Sequence, residues 1–181
     1  MQQGLVLDDL LARVVAARDR MTERAGATPL LLKIAPDLSL AELDDAVKVA
    51  RVRRIDGMIV GNTTIGRPAS LRDQATAKES GGLSGKPLFA LSTRMLAETY
   101  VRVEGAFPLV GAGGIDSGTA ALAKIKAGAN LVQLYSALVY RGLGLVAEIK
   151  SELLGALGGT AKLDDLVGVK AKALTAEPWP G

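Results

Sequence analysis

Glycines gather where phosphate chemistry is feasible: Gly111-Ala112-Gly113-Gly114-Ile115-Asp116-Ser117 follows one apolar run and opens an amphipathic one. Glycine lets backbone N–H groups approach a phosphate, and a helix N-terminus favours the charge that arrives there. The same residues also suit a tight strand-to-helix turn that needs positive φ. Tyr135-Ser136 closes the next apolar run and strengthens the phosphate reading, because α/β barrels seat phosphate in the loops after their last two strands. Gly81-Gly82-Leu83-Ser84-Gly85 precedes a further helix start, either as a second cradle or as a flexible loop with a cap. Lys33 ends an apolar run, where a buried lysine is costly unless paired. It is a cation for an anionic ligand or a reduced cofactor, or it snorkels to solvent or pairs with a carboxylate such as Asp37. Asn62 and Thr63 offer donors and acceptors to a small polar substrate, or form a turn that opens a long loop. No residue is an obvious general base: Asp56 lies at the start of its strand, on the wrong edge, and Glu79 lies in the loop.

Composition narrows the chemistry. The 181 residues (18.7 kDa) include no His and no Cys, which removes thiolate nucleophiles, disulfides, Cys/His zinc sites and histidine triads. No metal site is expected. Hydrophobic residues make up 49% and aromatics only 3%, so the core must be aliphatic and rich in alanine. Lys+Arg number 22 against 19 Asp+Glu, mixed along the chain, so no nucleic-acid stripe is read. No apolar run reaches the ~18 residues of a membrane span. The opening Met1-Gln2-Gln3-Gly4 lacks the features of a secretory signal, so the cytoplasm is the expected location.

The elements that must position these residues alternate. A first helix carries Leu7, Leu10, Leu11, Val14, Val15 and Arg18 at helical spacing, with Asp8 as N-cap and Gly26 as its end. Pro29–Pro36 reads as a buried strand. Ser39 and Glu42 form a capping box, Leu38 and Leu43 a staple, and Leu40, Leu43, Val47 and Ala50 the inner face of the second helix. Ile55–Gly61 is the next strand. Ile65–Gly85 shows no period, and a connection of about 20 structureless residues in a compact domain is usually functional. Lys86–Val103 reads as a helix, Phe107–Gly111 as a strand, and Ser117 as the cap of a short helix that Gly128 stops. Asn130–Tyr135 is the fourth strand, and a helix follows from about Gly144 to Leu157. The tail from Gly158 has weak periodicity.

Helix, then strand and helix four times over, implies an α/β fold with a parallel sheet. The polar and glycine-rich residues fall just after strands, at the ligand-binding edge of such folds. A (β/α)8 TIM barrel takes eight strands and about 250 residues. Four strands cannot close one and leave two sheet edges open. The chain is therefore a four-stranded open sheet or half of a barrel.

Five segments in order resemble dihydroorotate dehydrogenase, in its quinone-dependent (class 2) branch. They are Lys33–Leu38, Asp56-Gly57 through Asn62-Thr63-Thr64, Gly81–Leu88, Gly111–Ile115 and Ala127–Tyr135. The likeness covers roughly residues 5 to 157 and falls on the C-terminal half of the family's chain. It implies a C-terminal half of an FMN-binding (β/α)8 barrel over residues 1–157, with 158–181 as a C-terminal tail. It implies oxidation of dihydroorotate to orotate in pyrimidine synthesis, with electrons passing through FMN to a quinone. Lys33 would lie beside the flavin and stabilise negative charge on its reduced form. Gly85 and Gly114, with Gly113 adjacent, would bring N–H groups to FMN, and Tyr135 and Ser136 would complete the phosphate site. Asn62 and Thr63 would bind the dihydroorotate ring.

Departures from the family pattern bound the expectation. The base, a Ser in class 2, belongs to the half that is missing here, so no catalytic base is expected in this chain. The helices that form the quinone tunnel and meet the inner face of the cell membrane belong there too. Gly61 stands where the family usually has a Thr or Ser touching the flavin. Two other readings remain: a non-catalytic flavin- or phosphate-binding half-barrel that pairs with another chain through its exposed sheet edges, and a different phosphate-binding βα enzyme, which would not need Lys33 or Asn62-Thr63-Thr64.

Overall fold

A computed structural model describes residues 2–69, 71–73, 75–159 and 162–180. Of the expected tail, Thr160, Ala161 and Gly181 lie outside the described residues, as does Met1 of the opening motif. Four short strands, β1 (Leu31–Ile34), β2 (Gly57–Val60), β3 (Leu109–Ala112) and β4 (Leu131–Gln133), form one parallel sheet in the order β1-β2-β3-β4. Each strand pairs with its neighbour in sequence, which is the winding of a barrel wall rather than of a doubly wound sheet. The register sets Lys33, Ile59, Val110 and Leu131 in one row.

The two faces of the sheet differ. Ile34, Met58, Val60 and Leu109 are buried on one face against Leu43 and Val47 of α2 (Leu40–Val52) and Met95 and Leu96 of α3 (Phe89–Val103). On the other face, Leu31 and Lys33 are exposed and Leu131 is 63% exposed. Helices thus cover one side and leave the other open, as in a barrel wall seen from inside. Lys33, expected within a buried strand, is exposed because it points to this open side.

Local signals explain most boundaries. Ser39 Oγ accepts from the Glu42 N–H at 3.3 Å, and the Glu42 carboxylate accepts from the Ser39 N–H at 2.8 Å, so the capping box forms. Leu40, expected on the inner face of α2, is 40% exposed instead, since it begins the helix before the chain turns inward. Asp8 does not cap a helix: α1 (Gln2–Ala25) begins earlier, and Asp8 takes two bonds from the Arg53 guanidinium at 2.7 and 2.5 Å. Those bonds hold the Asp8 carboxyl below its ordinary range. Ser117 Oγ accepts from the Ala120 N–H at 3.2 Å and caps α4 (Gly118–Lys126). Within the last expected strand, only Leu131–Gln133 pair, and Ser136–Arg141 forms a helix, α5, before α6 (Gly144–Leu157).

The segment from Gly158 folds back. Its helix α7 (Ala171–Ala176) packs on α3, and Arg94 of α3 donates to the carbonyls of Thr175 and Glu177 at 2.9 and 2.5 Å. The Arg94 guanidinium also stands 4.9 Å from the Trp179 ring centroid. Among the described residues no helix is long and apolar enough to cross a membrane.

Candidate active site

The C-terminal ends of all four strands open on one cleft of about 620 Å³. Lys33 enters it from β1, Gly61, Asn62 and Thr63 from the end of β2, and Gly85 from the long loop. Gly113 and Gly114 follow β3, and Tyr135 and Ser136 follow β4. Every site residue expected from the sequence therefore lines one depression, on one rim. The remaining charged groups of the lining are Lys86, Arg141 and Asp116, so with Lys33 there are three cations and one carboxylate. Asp116 is paired with Lys86 at 3.1 Å, and its carbonyl accepts from Arg141 at 2.6 Å. The Arg141 guanidinium also pairs with Glu148 at 2.7 Å, so among the described residues Lys33 is the lining cation that no ion pair involves, and it is the charge open to an anionic ligand.

The glycine turn after β3 is shaped by its neighbours. Gly114 has φ +75, and a Cβ there would fall 2.5 Å from the Phe89 Cβ. Only glycine lets this backbone sit against the start of α3. Gly61 has φ +122, and a Cβ would fall 2.5 Å from the Ala112 carbonyl oxygen. A side chain has no room at Gly61 in this backbone. Ser136 Oγ donates to Ser84 Oγ at 2.9 Å, joining the fourth strand end to the loop before α3.

One arginine ties together the two ends of the unpatterned segment 65–85. Arg67 donates to the carbonyls of Ala77, Glu79 and Gly81 at 2.9, 3.1 and 2.7 Å, and to those of Ile65 and Gly66, both at 3.1 Å. Thr64 and Leu83 exchange backbone bonds at 3.0 and 2.8 Å. Thr64 Oγ1 donates to Asp37, whose carboxylate also accepts from the Ile65 N–H at 3.3 Å. Asp37 is thus committed to the loop rather than to Lys33. A short 3-10 turn, Thr76–Lys78, interrupts the stretch.

Sequence reasoning missed Arg67, because nothing in its type or spacing announces carbonyl partners scattered from Ile65 to Gly81. It also missed Lys124, although Ala121, Lys124 and Ile125 share one helical face and all three are buried. A lysine inside an apolar i, i+3, i+4 set was the available signal.

The family profile described as "Dihydroorotate dehydrogenase" matches residues 1–157. The chain belongs to the dihydroorotate dehydrogenase family. A relative from Bradyrhizobium diazoefficiens named "Dihydroorotate dehydrogenase (quinone)" is 68% identical over 183 residues, covering 100% of this chain and 50% of the relative. One of the same name from Rhodopseudomonas palustris (strain BisA53) is 64% identical over 182 residues, covering 99% and 50%. The crystal structure of Eimeria tenella DHODH in complex with ferulenol superposes with a TM-score of 0.86 at 34% identity, over 93% of this chain and 49% of that one. The ligand-free Eimeria structure gives 0.85 at 36% identity, over 94% and 51%. The chain spans about half the length of the curated relatives it matches, in their C-terminal half. The family match and the barrel-like winding agree that the four-stranded sheet is a partial α/β barrel.

Proposed function

We propose that this chain supplies the C-terminal half of a flavin-dependent dihydroorotate dehydrogenase site that delivers electrons to a quinone. The observation that carries the proposal is convergence: nine residues from four strand ends and one loop line a single cleft, with the Lys33 ammonium at its edge. What supports a phosphate-bearing flavin here is the Gly113-Gly114 turn in the cleft lining, packed so closely on Ser92 and Phe89 that neither position has room for a Cβ. When bound, FMN would accept the hydride that converts dihydroorotate to orotate. The residues of this chain would bind and orient. Lys33 would hold positive charge at the end of β1. Asn62 and Thr63 would hydrogen-bond the substrate ring, and Gly85, Gly113, Gly114, Tyr135 and Ser136 would receive the flavin and its phosphate. The proton-abstracting base, and helices forming a quinone tunnel at the inner membrane face, would come from sequence outside this chain. Tyr135, Val139, Tyr140 and Leu143, each at least 76% exposed, offer an apolar ridge beside the cleft that such a segment would cover.

Flavin fluorescence quenching tests binding, and anaerobic bleaching by dihydroorotate tests turnover. The expected result is FMN quenching with little or no bleaching in this chain alone, and bleaching once the complementary barrel half is present. Absence of bleaching in the completed barrel would refute the proposal.

A second reading has its own support in the open sheet face and the unpaired edges of β1 and β4. It is a half-barrel without catalysis that pairs with another chain or with its own copy. A stable symmetric dimer that binds FMN yet never bleaches with any partner would favour it.

A further inference from the structure

Lys124 lies in the last turn of α4 and is fully buried, at 0% exposure. Helical side chains lean toward the N-terminus of their helix, and α4 starts at the rim that holds the cleft. The four-carbon stem therefore runs upward behind Gly111, whose added Cβ would fall 3.3 Å from the Lys124 Cβ. The ammonium donates to Ser92 Oγ at 2.6 Å and stands 5.0 Å from the centroid of the Phe89 ring.

Both contacts back the same turn. Ser92 Oγ has the Leu88, Gly113 and Phe89 carbonyls within reach at 2.9, 3.1 and 3.2 Å and packs on the turn so closely that a Cβ on Gly113 would fall 2.8 Å from it, and Phe89 is the residue against which Gly114 is pressed. No ion pair among the described residues involves Lys124. The buried acid of α3, Glu98, is taken by Arg94 and Arg102, and on α6 Glu152 faces Gly118 in the first turn of α4. Burial without a carboxylate holds the ammonium well below its ordinary range, at about 7. An apolar side chain would fill this space at lower cost. The site thus keeps a destabilising cation directly behind the glycine turn.

We propose that Lys124 is a positioning residue for anion binding at the Gly113-Gly114 turn, fixing the turn through Ser92 and Phe89 and adding positive potential behind its N–H groups. The inference rests on the reading of the cleft as a phosphate-binding site and assigns that site a support outside the cleft lining.

The test uses the 181-residue chain with three probes: inorganic phosphate, FMN and riboflavin, which lacks the phosphate. Lys124→Met is expected to weaken phosphate and FMN about tenfold or more and to leave riboflavin within about twofold. Its thermal midpoint at pH 7 is expected to be no lower than that of the parent, an outcome a merely structural lysine would not give. Ser92→Ala, which keeps the cation but cuts its link to Gly113, carries the same binding expectation and serves if Lys124→Met does not fold. FMN bound equally well by the parent and both variants would overturn the inference while leaving the flavin reading intact. Inorganic phosphate bound and lost in Lys124→Met, with no FMN binding by the parent, would keep the inference and remove the flavin reading. A parent chain that binds neither inorganic phosphate nor FMN would overturn the inference.

Discussion

Lys33 stands exposed at the end of β1, whereas Lys124 is sealed inside α4, and the two respond oppositely to removal. Lys33→Met should move the unfolding free energy by no more than about 0.5 kcal/mol, the usual range for exposed positions. In a completed barrel it should slow flavin reduction by about a hundredfold, the scale of losing one charge-stabilising group. Stopped-flow bleaching and urea titration of the same variant separate the two effects. Lys124 makes stability depend on pH. Its ammonium titrates near 7 in the fold and near 10.5 in the unfolded chain, so between those values the unfolded state binds more protons. Stability should therefore rise with pH across that window, and the penalty, on the order of 3–5 kcal/mol, is fully present below about pH 7. Lys124→Met should abolish this part of the slope; urea midpoints from pH 6 to 9.5 that climb equally in both proteins would contradict it. Gly114→Ala should cost about 2–3 kcal/mol, from a positive φ and a collision with Phe89, read as a fall in thermal midpoint.

At the scale of elements, the loop 65–85 is the part most dependent on a single side chain. Arg67→Ala removes the donors that tie Ile65 and Gly66 to Ala77, Glu79 and Gly81. Limited proteolysis should then cut between residues 65 and 85 many times faster while helix content by circular dichroism stays the same. Unchanged cleavage would mean that the Thr64–Leu83 bridge and Asp37 suffice. Which elements were legible follows from how each is buried. α2 announced itself through Ser39 and Glu42, and β2 through an apolar run with a helix-covered face. α5 did not, because periodicity needs a buried side to contrast with a wet one, and Val139 and Tyr140 are both exposed. Asp8 was misread because an Asp just ahead of an apolar helical stripe matches the pattern of an N-cap, whereas α1 already runs from Gln2 and the Asp8 carboxylate serves Arg53. The strand-end residues of the cleft were readable from their place after apolar runs. Lys124 and Arg67 were not, since one acts from beneath and the other on carbonyls.

For the whole molecule, the open sheet face is the dominant physical fact. Leu31 and Leu131 stand exposed on it, and among the described residues β1 and β4 each have one unpaired edge. The chain by itself should bind a hydrophobic dye and self-associate with rising concentration. Adding the complementary barrel half should suppress both signals, by fluorescence and by light scattering; a monomer that ignores the dye at every concentration would argue that something else caps the sheet. The neighbour-to-neighbour strand order also governs how the chain leaves the ribosome. Each new strand finds its pairing partner already emerged, so the sheet can grow during translation without waiting for a distant segment. The exception is α3, whose Arg94 finds its carbonyl partners in Thr175 and Glu177 only when some eighty further residues have been made. A nascent chain stalled before that point would carry a finished sheet beneath an unlatched helix, and synthesis of the last turn would be the event that fastens it.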